Sequence, residues 1–128
     1  MTHHLSIRVY YEDTDMAGIV YYANYLRYIE RARSDWVREM GIDQLAMKAE
    51  GAVFAVRRVE GDYIQPAVFD DMLDVVTWPT SITPARMVMQ QEVKRGDVVL
   101  FRAVVTIVCI AASGKPCRLP AKLRSIPV

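Results

Sequence analysis

Histidine is scarce in this chain: there are two, His3 and His4, side by side near the start of the sequence. Adjacent residues there converge poorly on one ion, and no third ligand is suggested, so no metal pair is expected. Cysteine is scarce as well, with Cys109 and Cys117 only. Two cysteines in a chain without an export signal are expected to be reduced, with Cys109 in the core. There is no surplus of one charge, the formal net value being +1, which argues against nonspecific nucleic-acid binding. An anionic ligand must therefore be met by a local cluster. No apolar run approaches the ~18–20 residues of a membrane span; the nearest, Ala103 to Ala112, carries Thr106. The opening MTHHLSIRVYYEDTD has no basic region followed by an apolar stretch, so neither a signal peptide nor membrane insertion is expected, and the location expected is the cytoplasm. Repeats, low-complexity segments and linkers are all missing. Residues 1–128 are expected to form one domain.

What is present is one clear helix and several strands. From Tyr22 to Met40 the apolar positions Tyr22, Tyr25, Leu26, Ile29, Ala32, Trp36, Val37 and Met40 recur at three- and four-residue spacing. The opposite face carries Arg27, Glu30, Arg31, Arg33, Arg38 and Glu39, Glu30 being able to pair with Arg33 or Ser34, and Gly41 is a stop signal. A short helix is expected over Gln44 to Ala49. Leu5 to Glu12 is β-branched and aromatic and reads as a strand. Further strands are expected over Val53 to Ile64, over Met72 to Trp78 with a stop at Pro79, and over Met87 to Val93. Val98 to Ala111 reads as a central strand, and Lys94-Arg95-Gly96-Asp97 as a hairpin turn. The order strand, long helix, then four or five antiparallel strands describes an α+β domain. One helix cannot cover both faces of such a sheet, and its edges need partners, so a homo-oligomer is expected.

The segment DTDMAGIVYYAN, Asp13 to Asn24, opens like a calcium loop. Such a loop also needs an oxygen donor at its fifth position and a bidentate Glu at its twelfth. Here those positions are Ala17 and Asn24, and a strand rather than a helix precedes the segment. A turn built by Asp13 and Gly18 fits better. Six of the seven tyrosines, Tyr10, Tyr11, Tyr21, Tyr22, Tyr25 and Tyr28, fall within nineteen residues here. Tyr25 and Tyr28 fit the core stripe, whereas Tyr11, Tyr21 and Tyr22 can line a pocket. At a helix start the first N–H groups lack intrahelical acceptors and the dipole favours negative charge. They can stabilise the oxyanion formed when a thioester or ester carbonyl is attacked. Asp15 can activate water or attack directly to form an acyl anhydride.

These residues carry a resemblance. Tyr10-Tyr-Glu-Asp-Thr-Asp-Met-Ala-Gly-Ile-Val-Tyr-Tyr-Ala-Asn-Tyr25, followed by Tyr28-Ile-Glu-Arg-Ala-Arg33, resembles the signature of hotdog-fold acyl-CoA thioesterases. More narrowly, it resembles the 4-hydroxybenzoyl-CoA thioesterase family and its Tol-Pal-associated bacterial branch. The likeness continues through Asp62-Tyr-Ile-Gln-Pro-Ala67 and Asp70-Asp-Met-Leu-Asp-Val75 to Arg118-Leu-Pro120. It implies a hotdog fold, a long central helix wrapped by an antiparallel sheet of about five strands, with active sites at a dimer interface.

By that resemblance Asp15 is the catalytic carboxylate and the backbone N–H of Tyr22 polarises the thioester carbonyl. Tyr11 and the stretch Gly18-Ile19-Val20 line the site. The Tol-Pal-associated branch commonly has His where this chain has Tyr22, whereas the 4-hydroxybenzoyl-CoA enzymes resemble it in having Tyr. A backbone donor survives that exchange, but a side-chain acid–base role for His does not. Arg86 is the first choice for the CoA phosphates, with Arg57, Arg58, Arg118 and Lys122 behind it. The reaction implied is hydrolysis of an acyl-CoA, or an acyl group on acyl carrier protein, without a metal or a cofactor beyond the substrate's CoA. A homodimer or homotetramer is implied. A dehydratase of this fold would be expected to use a His with a carboxylate, and His3 and His4 are badly placed for that. The alternative is a noncatalytic acyl-CoA or acyl-carrier-protein binding scaffold linked to envelope or lipid-synthesis proteins.

Overall fold

A computed structural model describes residues 1–128. The stripe that starts at Tyr22 becomes helix α1, Asn24–Glu39, with Tyr22 and Ala23 in the turn that leads into it. Its buried face is Asn24, Tyr25, Tyr28, Ile29, Ala32, Trp36 and Val37. Leu26, expected on that face, is exposed, and Arg33, expected in solvent, is half-buried. Ser34 Oγ donates to Glu30 Oε1 at 2.7 Å, so Ser34 takes the partner role expected of Arg33 or Ser34. The helix ends as its sequence dictates. Gly41 sits at φ +81°, and the N–H groups of Gly41 and Ile42 bond back to the carbonyls of Arg38 and Val37 at 3.0 and 3.2 Å. This is a Schellman closure, which an L side chain at position 41 would strain. A second helix, α2 (Gln44–Ala49), is capped by Asp43, whose carboxylate accepts from the N–H groups of Leu45 and Ala46.

Five strands, β1 (His3–Arg8), β2 (Ala52–Tyr63), β3 (Met72–Ile82), β4 (Arg86–Arg95) and β5 (Val98–Ala111), form one antiparallel sheet in the order β1-β3-β4-β5-β2. The first strand is shorter than the expected Leu5 to Glu12, because Tyr11–Asp13 curls into a 3-10 turn. Conversely β3 continues past Pro79. It can do so because β1 pairs only as far as Thr77, so no ladder hydrogen bond from position 79 is lost to a neighbour on that side. The register with β4 slips between Pro79 and Ser81. β5 lies between β4 and β2, as its nearly continuous apolar run suggests. On it Phe101, Ala103, Val105, Ile107 and Cys109 alternate inward and join Leu73, Val75, Met87, Met89 and Val93 from β3 and β4. Helix α1 packs on that face. A last short helix, α3 (Ala121–Arg124), which the Pro-punctuated tail does not announce, adds Leu123 to the core. The two edges of the sheet are β1 and β2.

One buried polar network ties α1 to the sheet. Gln91, with no exposed surface, donates Nε2 to the Ile29 carbonyl and to Thr77 Oγ1, both at 2.9 Å. Its Oε1 accepts from Arg33 Nη1 at 3.0 Å. Burial lowers the Arg33 pKa, and Glu30 partly offsets that. Truncating Gln91 strands Arg33 and Thr77 at once. Gln91→Ala is expected to lower the unfolding free energy by about 2–3 kcal/mol, read as a shift of the urea midpoint at constant slope.

Candidate active site

Asp15 opens a tight hairpin. Its N–H donates to the Ile19 carbonyl, and the Gly18 N–H donates back to the Asp15 carbonyl, each at 2.9 Å. Gly18 has φ +80° and a Cβ there would meet nothing within 4 Å, so glycine is needed for its backbone and not for space. Asp15 Oδ1 accepts from the Ala17 N–H at 2.9 Å, which fixes the carboxyl group; Oδ2 has no partner within the chain. The side chain is half-buried. Thr14 pairs with Val20, and Ile19 with Val68. Ile19 is half-buried and Val20 buried, so together they form the base from which Asp15 projects.

The hairpin hangs on the helix start. The Asp13 carbonyl accepts from the Tyr21 N–H at 2.9 Å and from Asn24 Nδ2 at 2.8 Å. Its carboxylate accepts from the Tyr10 N–H at 2.8 Å. The N–H groups of Tyr22 and Ala23 meet no acceptor within the chain. Both donors lie at the positive end of α1, one short hairpin away from a carboxylate. Tyr25 and Tyr28 are buried, as their place in the stripe requires, while Tyr11, Tyr21 and Tyr22 are 83%, 44% and 61% exposed. Tyr22 is flanked edge-on by Tyr21 and Tyr63, with centroids at 4.9 and 6.2 Å. The Tyr63 hydroxyl donates to the Tyr22 carbonyl at 3.0 Å. Burial first, then the neighbouring Asp13, pushes the Tyr28 phenol up, so it stays neutral.

Arg86 lies elsewhere. It opens β4 and pairs with Val108 of β5, whereas the helix start packs on Phe101 through Tyr25. Seven residues of β5 separate those positions, roughly 23 Å at ~3.3 Å per residue. Arg86 shares a surface cleft with Arg57 and Thr83. A separate cavity of about 170 Å³ lies between α1 and the sheet, floored by Val37, Phe54, Met87, Met89 and Ile107, with Glu30, Arg33 and Ser34 at its polar side. Asp15 does not line it. Within one chain the structure brings together Asp15, Gly18, Ile19, Val20 and Tyr22, leaves Tyr11 on the adjoining exposed turn, and keeps Arg86 apart.

A family profile described as the thioesterase-like superfamily matches residues 9–126. The chain belongs to that superfamily. It is 39% identical over 119 residues to a protein of Escherichia coli named acyl-CoA thioester hydrolase YbgC, a match covering 91% of this chain and 89% of that one. It is 34% identical to the acyl-CoA thioesterase YbgC of Haemophilus influenzae, covering 93% and 89%. Among solved structures, a probable thioesterase from Bartonella henselae superposes with a TM-score of 0.88 at 37% identity, covering 94% of this chain and 100% of that one. A 1,4-dihydroxy-2-naphthoyl-CoA thioesterase from Synechocystis gives 0.89 at 25% identity, covering 98% and 94%. The five-stranded antiparallel sheet is thus the hotdog fold of a thioesterase.

Two parts of this thioesterase are not legible in the sequence. Asn24, read there only as a failed calcium ligand, is buried and bridges the Asp13 carbonyl to Arg27. Its signal was an amide side chain at the first turn of an otherwise apolar stripe. His3 and His4 diverge: His4 Nδ1 faces Asp74 at 3.0 Å, while the buried His3 Nε2 lies 2.8 Å from Asp35 and 3.6 Å from Glu39. Third and fourth polar groups do exist near His3, one turn apart on α1, and they fasten β1 to the helix. Asn24→Ala is expected to speed hydrogen exchange at the amides of Asp15, Gly18 and Tyr21 while leaving those of β4 and β5 unchanged. The accompanying loss of stability should be about 1 kcal/mol, as for one hydrogen bond.

Proposed function

We propose that this thioesterase cleaves acyl-CoA thioesters to a carboxylic acid and free CoA, with Asp15 as its catalytic carboxylate. The observation that carries the reading is the 39% identity, over 91% of the chain, to proteins named acyl-CoA thioester hydrolases. The Asp15 hairpin supports it chemically. Oδ1 is held by the Ala17 N–H, so Oδ2 is the oxygen free to take a proton from water or to attack the acyl carbon. The N–H of Tyr22 donates to the carbonyl oxygen as it gains charge, which is when such a bond accelerates the reaction. The C–S bond then breaks, CoA leaves as a thiolate, and water supplies the new acid oxygen and the proton that CoA finally carries. An attack by Asp15 itself passes through an anhydride that water opens, with the same products. Tyr22 acts through its backbone, as suits the tyrosine shared with the 4-hydroxybenzoyl-CoA enzymes that the motif resembles. Tyr11 and Gly18 to Val20 border the acyl thioester, and Arg86, with Arg57 beside it, takes the phosphates of CoA.

We also propose a cytoplasmic homo-oligomer joined through β2. That strand is an open edge, and its residues from Val56 to Tyr63 are exposed. A two-fold axis near the middle of β2 sets the Phe54 end of one copy against the Tyr63 end of the other. The cavity floored by Phe54 in one copy then stands next to the Asp15 hairpin of the second, which suits it to receive the acyl group. Sedimentation should accordingly return a multiple of the 14.6 kDa chain.

Thiol release from a panel of short, long and aromatic acyl-CoAs tests the chemistry, with the same acyl groups on acyl carrier protein as comparison. Asp15→Asn should lower kcat by ~10²–10⁴, the range for a lost general base. Tyr22→Phe should leave kcat within a few-fold. Arg86→Ala should raise KM with little change in kcat, the mark of a group that binds ground and transition states alike. Turnover indifferent to Asp15 would remove it from the mechanism, and no turnover on any substrate would leave an acyl-binding scaffold.

A further inference from the structure

Beyond the hydrolytic site, the two cysteines come together in a way the sequence does not suggest. Past the end of β5 the chain turns through Ser113-Gly114 and returns antiparallel to itself. Ala111 N–H donates to the Lys115 carbonyl at 2.8 Å, Ile110 pairs with Pro116, and Cys117 N–H donates to the Cys109 carbonyl at 2.9 Å. Counting along that ladder makes Cys109 and Cys117 direct cross-strand partners. Directly opposed antiparallel partners have Cα atoms about 4.5–5.5 Å apart, inside the ~4.4–6.8 Å that a disulfide spans. The side chains turn to the same side, and their sulfurs lie 3.0 Å apart as free thiols. Cys117 is partly exposed and Cys109 is fully buried.

We propose that Cys109 and Cys117 form an oxidation site in which a hydroperoxide converts the thiol pair into an intramolecular disulfide that staples the C-terminal tail to β5. The order of events follows from exposure. Cys117 meets solvent, so its thiolate attacks the O–O bond, becomes a sulfenic acid and releases the alcohol or water. The Cys109 sulfur, already in contact, then displaces hydroxide to form the S–S bond. Two thiols and one hydroperoxide give one disulfide, one alcohol (or water) and one further water; the two electrons come from the sulfurs and reduce the peroxide. Burial first, then the adjacent Cys117 sulfur, pushes the Cys109 thiol up to about 12. The second step is therefore paced by the small thiolate fraction of Cys109 and helped by its fixed proximity. The staple closes just ahead of Leu119, Leu123 and Ile126, the tail residues that enter the core.

The test is made on the full-length protein. Hydrogen peroxide is added to the folded, reduced chain, excess thiols are blocked, and the protein is digested with trypsin. The Lys115–Pro116 bond resists cleavage, so both cysteines stay in one peptide, Ala103 to Arg118. The result expected is loss of two hydrogens from that peptide, reversed by dithiothreitol, with the chain still a single species on a non-reducing gel. In Cys117→Ser, Cys109 should remain an unmodified thiol under the same treatment. In Cys109→Ala, Cys117 should stop at sulfenic or higher acids. Wild-type Cys117 over-oxidised beside a free Cys109, or cysteines joined between chains, would overturn the proposal. The wild-type peptide alone decides it if either variant folds poorly.

Discussion

A single carbonyl oxygen, that of Asp13, holds the junction on which the rest of the site depends. It accepts from the Tyr21 backbone and from the Asn24 side chain, which fixes where the strand-derived hairpin meets the first turn of α1. Everything chemical is then a consequence of short geometry. Asp15 is two residues downstream of that carbonyl, and Tyr22 is two residues upstream of Asn24. The orphan N–H groups at the helix start exist in any helix; what is particular here is that a carboxylate is tied to the same anchor. Two other bonds brace the arrangement from the far side. The Ala67 N–H donates to the buried Tyr25 hydroxyl at 3.0 Å, and the Val20 N–H to the Ala67 carbonyl at 2.9 Å. The loop after β2 is thereby locked to both helix and hairpin. Arg95 closes it further by pairing with Asp71 at 2.7 Å, the same carboxylate oxygen that accepts the Val68 N–H.

This arrangement explains how much was legible beforehand. Helix α1 was readable because burial on one face imposes a period, and α2 because Asp43 and the apolar residues after it mark a start. β5 was readable because its long β-branched run marks a central strand, and it lies between β4 and β2. The misreadings have equally physical origins. Leu5 to Glu12 has strand composition to its end, yet Tyr11–Asp13 curls on local bonds, the Asp13 N–H to the Tyr10 carbonyl and the Tyr10 N–H to the Asp13 carboxylate, which strand composition masks. Pro79 looks like a stop until the sheet order shows that β1 has already ended beside it. Arg33 looks like a surface charge because helical phase alone cannot reveal that Gln91 waits across the interface to accept from it.

The candidate site was read in a different way. Arg86 apart, the residues proposed for it lie between Tyr11 and Tyr22, within the reach of one motif, with Asp15 and Tyr22 seven residues apart. Asn24 was missed because its role is to hold backbone, which leaves no chemical signature. The cysteine pair was missed for the opposite reason. Eight residues of separation carry no message until the turn at Gly114, with φ +85°, sends the chain back on itself.

The same topology bears on the assembly proposed for this thioesterase. Helix α1 covers one face of the sheet, and within one chain the hairpin stands at one end of that layer while Arg86 and the cavity beside Phe54 lie toward the other. A substrate with an acyl group at one end and phosphates at the other has to reach across that span. The open edge of β2 offers a route that a longer substrate does not. Antiparallel pairing of two β2 strands reverses one sheet relative to the other, so opposite ends become neighbours. It also satisfies backbone groups that an open edge leaves to water, where Val56 to Tyr63 are exposed. One edge thus supplies the reason to associate and the geometry that completes the proposed site. In the proposed pairing, β2 of one copy is the link between its own Phe54 cavity and the Asp15 hairpin of the second.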